Sequence, residues 1–275
     1  MTGSTRRRST GRRWTVVTVA ILLAYLFPIF WMLSASFQPG ANSANVTFLP
    51  TDPGLDGYAR VLTSGGLDGL RVSVVASLGA VVLTLLIAVP AGYALSRVRS
   101  RVLGVAQIVV LVAQMIPSIV LANSFYSMFN DWGVLNSFAG LILADATLGV
   151  PFAIILLRSF MLRLDQEVVE ASTLDGLGPL GVLVRIVVPL SRNAVITAAV
   201  FTFLFSWGDL LFGLTLVTQD QMYPVTVFIY SLTQSQLTTW AAVMAASLIA
   251  SLPALVVVLA AQRYVKAGLA LGSSR

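Results

Sequence analysis

Six apolar runs, each long enough to cross a bilayer, limit what this chain can fold into more than any other feature. They lie near residues 14–36, 72–95, 102–122, 138–157, 194–218 and 238–262. About 20 helical residues span the ~30 Å of hydrocarbon in a bilayer. No water is present there to satisfy backbone N–H and C=O groups, so each run must close its hydrogen bonds internally, as a helix. Composition agrees: 57% of the 275 residues are hydrophobic, 10% are charged, and the mean hydropathy is +0.89. A soluble domain carries about a quarter charged residues. The expected fold class is an all-α integral membrane protein with six transmembrane helices.

The first run needs one decision. Ser34-Ala35-Ser36 has the small residues of a leader-peptide cleavage site. The run ahead of it, however, is longer than the 7–15 residues of a leader's apolar region, and five more spans come after it. It reads as an uncleaved first span, 14–36, behind a Ser/Thr- and Arg-rich tail at 1–13. Proline falls inside five runs, at Pro28, Pro90, Pro117, Pro151 and Pro253. Each is either a kink whose freed backbone groups find other partners or a bend that shapes a cavity; the sequence leaves both open.

Arginine placement sets the orientation. Five of the 17 cations lie in the N-terminal tail, and three at Arg97, Arg99 and Arg101. Four more lie at Arg158, Arg163, Arg185 and Arg192, and three at Arg263, Lys266 and Arg275. Only Arg60 and Arg71 fall on the opposite side. Both termini are therefore expected to be cytoplasmic, and the net charge of +6 arises from topology without a nucleic-acid partner. The segment 37–71 becomes a long extracytoplasmic loop, long enough to meet an extracytoplasmic partner. Residues 72–262 form the membrane core, 158–193 a cytoplasmic loop within it, and 263–275 a cytoplasmic tail.

Several kinds of chemistry are excluded. Histidine and cysteine are both absent, which removes the commonest general base, the commonest metal ligand and any thiolate. No metal site or cofactor bound by this chain is expected. The one lysine, Lys266, lies outside any Gly-rich loop, so the chain carries no P-loop, and ATP must be bound by another subunit if ATP is used. An integral-membrane lipid enzyme would lack acid–base groups here, apart from the Glu167/Glu170 helix. A secondary transporter would have only Asp145 and Asp209 as coupling sites.

The most informative stretch interrupts the apolar pattern from Glu170 to Pro189. Asp165 is placed to cap a short helix, with Glu167 in its first turn. At 100° per residue, Arg163, Glu167, Glu170, Ala171 and Leu174 share a face. Ala171, Ser172 and Thr173 keep side chains small. Gly176 and Gly178 allow a turn, and Pro179 stops the helix or opens the next one. The element is either a docking helix for a soluble partner or an amphipathic helix lying on the membrane surface.

This stretch resembles the EAA motif of the permease subunits of ABC importers: Glu170, Ala171, Ser172, then Asp175-Gly176, then Ile186, Val188 and Pro189, with the spacing intact. Ser172 stands where the motif has alanine and Val188 where it has leucine. The resemblance implies a type I ABC importer permease fold. It also implies that Glu170, Ala171, Ser172, Asp175, Gly176, Ile186 and Pro189 couple the chain to a cytoplasmic ATPase. A narrower resemblance rests on Phe48-Leu49-Pro50 with Tyr58, on Ser206-Trp207-Gly208-Asp209, and on Arg263-Tyr264-Val265-Lys266-Ala267-Gly268-Leu269. These look like carbohydrate permeases of the type of the six-helix permease of the maltose transporter. Relatives often continue Gly-Ala-Val-Lys-Gly, whereas this chain ends Leu271-Gly272-Ser273-Ser274-Arg275.

That likeness implies a non-catalytic subunit in the cytoplasmic membrane of a bacterium. It would be paired with a second permease, two ATPases that hold ATP and Mg, and an extracytoplasmic binding protein. The cargo would be a neutral sugar or oligosaccharide, or alternatively another polyol such as glycerol phosphate. No arginine lies within a predicted span, which favours the neutral cargo.

Polar side chains inside the spans are the remaining candidates. An ionised carboxylate at mid-membrane costs ~2.5–3.5 kcal/mol or more, so Asp145 and Asp209 must face a partner or water. Asp209, beside Trp207 and Ser206, is either a pathway residue or a structural one; the related permeases usually place an acidic or amide residue there whatever they carry. Asp145 meets sugar hydroxyls, is protonated, or satisfies a neighbouring helix. Gln107 and Gln114 share a face with Asn123 beyond them, and suit either a polyol or helix–helix contact. The candidate pathway is thus Asp209, Trp207, Ser206, Asp145, Gln114 and Asn123.

Overall fold

The computed structural model describes residues 7–40, 45–97, 101–235 and 239–273. Arg6, Arg99 and Arg275, three of the cations used for orientation, lie outside them. Every regular element among the described residues is helical: α1 (Arg7–Ser36), α2 (Asp56–Thr63), α3 (Gly66–Arg97), α4 (Arg101–Ala113), α5 (Ser118–Asp131), α6 (Phe138–Met161), α7 (Gln166–Leu174), α8 (Pro179–Val182), a π-turn (Leu183–Val187), α9 (Val188–Leu190), α10 (Arg192–Trp207), α11 (Leu211–Leu216), a 3-10 turn (Asp220–Met222), α12 (Val225–Gln234) and α13 (Trp240–Ser273). Four helices, Trp14–Ser36 of α1, α3, α6 and Trp240–Tyr264 of α13, are long and apolar enough to cross a bilayer. Two bent pairs bring the possible spans to 6.

The bends decide which prolines matter. Pro28, Pro90, Pro151 and Pro253 sit inside unbroken helices. Pro117 instead closes a break at 114–117, where the chain turns by 90° between Gly104–Ala113 and Ser118–Asp131. A proline offers no N–H, crowds the carbonyl four residues back, and disfavours helix at the residue before it. The run at 194–218 is also interrupted: α10 stops at Trp207, and α11 begins after Gly208–Leu210. A second bend, of 83°, separates Pro179–Leu190 from α10. The first helix already starts at Arg7, the segment 37–71, expected to be an extracytoplasmic loop, contains α2, and α12 forms between the apolar runs at 194–218 and 238–262.

The chain divides into two compact units. In the unit made of residues 1–64 and 231–250, the apolar side chains of α1 from Trp14 to Phe30 are exposed, as lipid-facing ones would be. The end of α1 is pinned by polar contacts. Gln38 donates to Thr47 O (2.8 Å) and accepts from Thr47 N–H (3.0 Å), Ser34 Oγ donates to Phe48 O (2.8 Å), and Ser36 Oγ meets the Tyr58 hydroxyl (2.8 Å). Phe48 packs against Phe27, Phe30 and Trp31. The long loop is thus folded back on its own helix.

In the unit made of residues 65–230 and 251–275, α3, α6 and α10 form the core. Small residues let these helices approach closely, as helix packing in lipid requires when apolar burial cannot drive association. Ala88, Ala153, Ala194 and Ala198 are fully buried, with Leu157 and Met161. The same cluster takes in Val169 of α7 and Val182, Leu183 and Val187 of the segment after it. The interruption at Glu170–Pro189 is therefore rooted in the membrane core.

Candidate functional site

Two places in the second unit combine function-bearing residues. At α7, Asp165 caps the helix by accepting the Glu167 N–H (3.0 Å). The far end closes with a left-handed glycine. Gly176 has φ +87°, its N–H donates to Thr173 O (3.0 Å), and the Leu177 N–H reaches back to Ser172 O (3.2 Å). This pair of bonds is the Schellman stop, and it satisfies carbonyls the helix would leave open. Arg163, Glu167, Glu170, Ala171 and Leu174 are all exposed, Leu174 to 88%. Ser172, the motif residue next to Ala171, turns inward and donates to Val169 O (2.7 Å). Asp175 is exposed at the helix C-cap, Ile186 lies half-buried in the π-turn, and Pro189 is exposed just after it.

The π-turn has a local cause. Pro189 has no N–H for the Arg185 carbonyl, and its ring crowds that carbonyl. The backbone widens immediately before it, so that the Val188 N–H donates to Leu183 O, five residues back. The motif's Ile186 and Pro189 thus lie in the π-turn and directly after it, ahead of the 83° bend that leads into α10.

The second place is a cavity of about 400 Å³. The α4–α5 break contributes Ala113, Gln114, Ile116 and Leu121; α6 contributes Thr147, Leu148 and Phe152; the end of α10 contributes Phe205, Gly208 and Asp209. Asp209 is placed by the break in which it sits, for its Oδ2 accepts the N–H groups of Phe212 (2.9 Å) and Gly213 (3.4 Å). The carboxylate therefore restarts the helix as α11, and Asp209 is part of the cavity lining. Phe152 and Phe205 meet nearly perpendicular, with ring centres 5.5 Å apart.

Of the six candidate pathway residues, only Gln114 and Asp209 line this cavity. Asp145 and Ser206 belong elsewhere: Ser206 Oγ donates to Asp145 Oδ2 at 2.5 Å and lies 3.1 Å from Ser77 Oγ, joining α3, α6 and α10. Asp145 is only 4% exposed and lies among helix neighbours. One turn further along α6 is Gly149, where an added Cβ would lie 2.6 Å from Thr202 Cγ2 and 2.9 Å from the Oγ1 atoms of Thr202 and Thr84. Trp207 is buried and stacked on Phe203, and Asn123 is exposed on α5 away from the cavity lining. Phe152, Thr147 and Phe205 are lining residues that sequence reasoning missed. The spacing of Phe201 and Phe205 on one helical face is their only trace in the sequence.

The family described as binding-protein-dependent transport system inner membrane component matches residues 80–270. The chain belongs to that family. It is 30% identical, over 99% of both chains, to the probable ABC transporter permease protein y4oR of Sinorhizobium fredii. It is 27% identical to the diacetylchitobiose uptake system permease protein DasC of Streptomyces coelicolor (98% and 99% covered) and to the trehalose transport system permease protein SugB of Mycobacterium tuberculosis (94% and 96% covered). Among solved structures, a chain of a bacterial ABC transporter involved in the import of the acidic polysaccharide alginate superposes with a TM-score of 0.80 at 23% identity, covering 96% of this chain and 100% of that one. The fold is that of a type I ABC importer permease, and this family member is a multi-pass inner-membrane component of a binding-protein-dependent system.

Proposed function

We propose that this permease moves a carbohydrate, in the first instance a neutral sugar or oligosaccharide, across the membrane by alternating access. It would work with a second permease, two ATPases that bind ATP and Mg, and an extracytoplasmic binding protein. In this reading the chain performs no bond chemistry, both termini are cytoplasmic, and α7 is the coupling helix. The observation that carries it is the construction of α7: an exposed face of Glu167, Glu170, Ala171 and Leu174, closed by Gly176, on a backbone rooted in the core through Val169, Val182 and Val187. A face built to be held by another protein, on a lever fixed to the spans, is what transmission of a push requires.

The carbohydrate assignment draws on the names of the relatives, which include trehalose, maltose and diacetylchitobiose systems. The cavity supports the neutral choice over glycerol phosphate, since its lining holds one carboxylate and no lysine or arginine. Affinity purification of the tagged chain from membranes tests the partnership. An ATPase should be retained by the wild type and lost with Leu174→Asp at unchanged membrane level. Retention by both, or by neither, would sink the role given to α7.

A further inference from the structure

We infer that the cavity between the two broken spans is a sugar-ring site on this chain itself, one that takes an uncharged pyranose and rejects phosphorylated or carboxylated ones. The inference rests on the carbohydrate reading above and adds to it that this subunit touches the cargo directly.

Size is the first argument. About 400 Å³ falls within the ~300–1,000 Å³ range of small-molecule sites and holds one or two pyranose rings with water. Chemistry is the second. A pyranose has an apolar C–H face and a rim of hydroxyls. Phe152 and Phe205, whose rings cross at 83°, both line the space and supply aromatic surface for the apolar side. Three polar groups border the same space. Asp209 supplies a carboxylate fixed in direction by the Phe212 and Gly213 amides. The Gln114 side-chain amide makes no hydrogen bond to the described residues, so both its donor and its acceptor are available. Thr147 spends its proton on Ala144 O (2.6 Å), which leaves its oxygen as an acceptor.

Acceptors thus dominate, which suits hydroxyl donors. Charge is the third argument. The lining holds no lysine or arginine, so a phosphate or carboxylate on the cargo would be desolvated there without a counter-charge. The site also lies where the backbone departs from helix, at the two breaks. Backbone of that kind is tolerated at membrane depth where it lines a cavity or is buried in protein.

The test uses the complete transporter, carrying Phe205→Trp as a reporter in this chain. Its fluorescence, corrected by the same assembly without the reporter, is titrated with maltose, trehalose, diacetylchitobiose and glycerol 3-phosphate. At least one uncharged sugar should give a saturable change that Gln114→Ala weakens tenfold or more, while glycerol 3-phosphate gives none. No response to any of the three sugars, an equal response to glycerol 3-phosphate, or indifference to Gln114→Ala would overturn the site. ATP-dependent uptake of the same sugars, measured on the same wild-type preparation, separates the two claims. Uptake that is present and insensitive to Phe205→Ala and Gln114→Ala refutes this site alone, whereas absence of any uptake refutes the carbohydrate reading beneath it.

Discussion

The α7 segment and the cavity belong to one compact unit, yet they are built in opposite ways. The segment is contiguous in sequence, exposed, and shaped by caps: Asp165 at one end and the left-handed Gly176 at the other. The cavity is assembled from helices far apart in sequence and is lined in part by residues at two breaks in the helices. A surface that another protein must grip can be written as one short motif. A space that a small molecule must enter cannot, because its walls come from wherever the fold brings helices together.

The largest expected effect separates these two constructions. Gly176→Asp places a side chain where φ is +87°, a left-handed conformation that glycine adopts freely and aspartate only occasionally. It also adds a charge at the exposed turn. ATP-driven uptake should be abolished while the protein remains inserted at its normal level, and Glu170→Ala should act in the same direction. Immunoblots of membranes beside uptake assays check this; uptake at wild-type rates by both variants would remove the distinction. Ser172→Ala sharpens it, because Ser172 faces the protein interior and its loss should leave the docking face intact.

Next in size is Gly149→Ala. The new methyl would collide with Thr202 and press on Thr84, so overpacking of ~1–3 kcal/mol is expected. The measurement is thermal unfolding of the purified protein. A variant as stable as the wild type would mean that α6 and α10 are not held at this distance.

The smallest effect concerns the two acids, which contrast with one another as the two regions do. Asp145 links three helices through Ser206 and Ser77, whereas Asp209 restarts a helix and lines the cavity. Asp145→Asn keeps an acceptor for Ser206 and should be nearly neutral. Asp145→Leu should cost ~0.6–1.7 kcal/mol of stability, the range for one polar contact between helices in lipid. Denaturation midpoints of the pair measure it, and equal midpoints would show that the Ser206 bond contributes nothing.

Much of the fold and of the α7 segment is legible in the sequence, for physical reasons. Long apolar runs can only be helices in lipid, and the Asp165 and Gly176 caps arise from backbone groups that helix ends must satisfy. The effects of the prolines are not legible. Pro90 and Pro151 lie within unbroken helices of the core, while Pro117 ends one helix and opens another. The inward turn of Ser172 escapes a sequence reading because Ala171, Ser172 and Thr173 are alike in size and a nine-residue helix marks no clear apolar stripe. The contacts of Asp145 escape it too, because Ser77 and Ser206 are contributed by other helices.

The central claim is that force from a separate ATPase enters at α7 and moves the walls of a carbohydrate path. Uptake of maltose, trehalose and diacetylchitobiose into proteoliposomes tests it most directly. The complete assembly with its binding protein and ATP is compared with this chain alone under an imposed ion gradient. The account expects uptake of at least one sugar only by the complete assembly, only with hydrolysable ATP, and none with Gly176→Asp. Gradient-driven uptake by this chain alone, at the rate of the complete assembly, would contradict it.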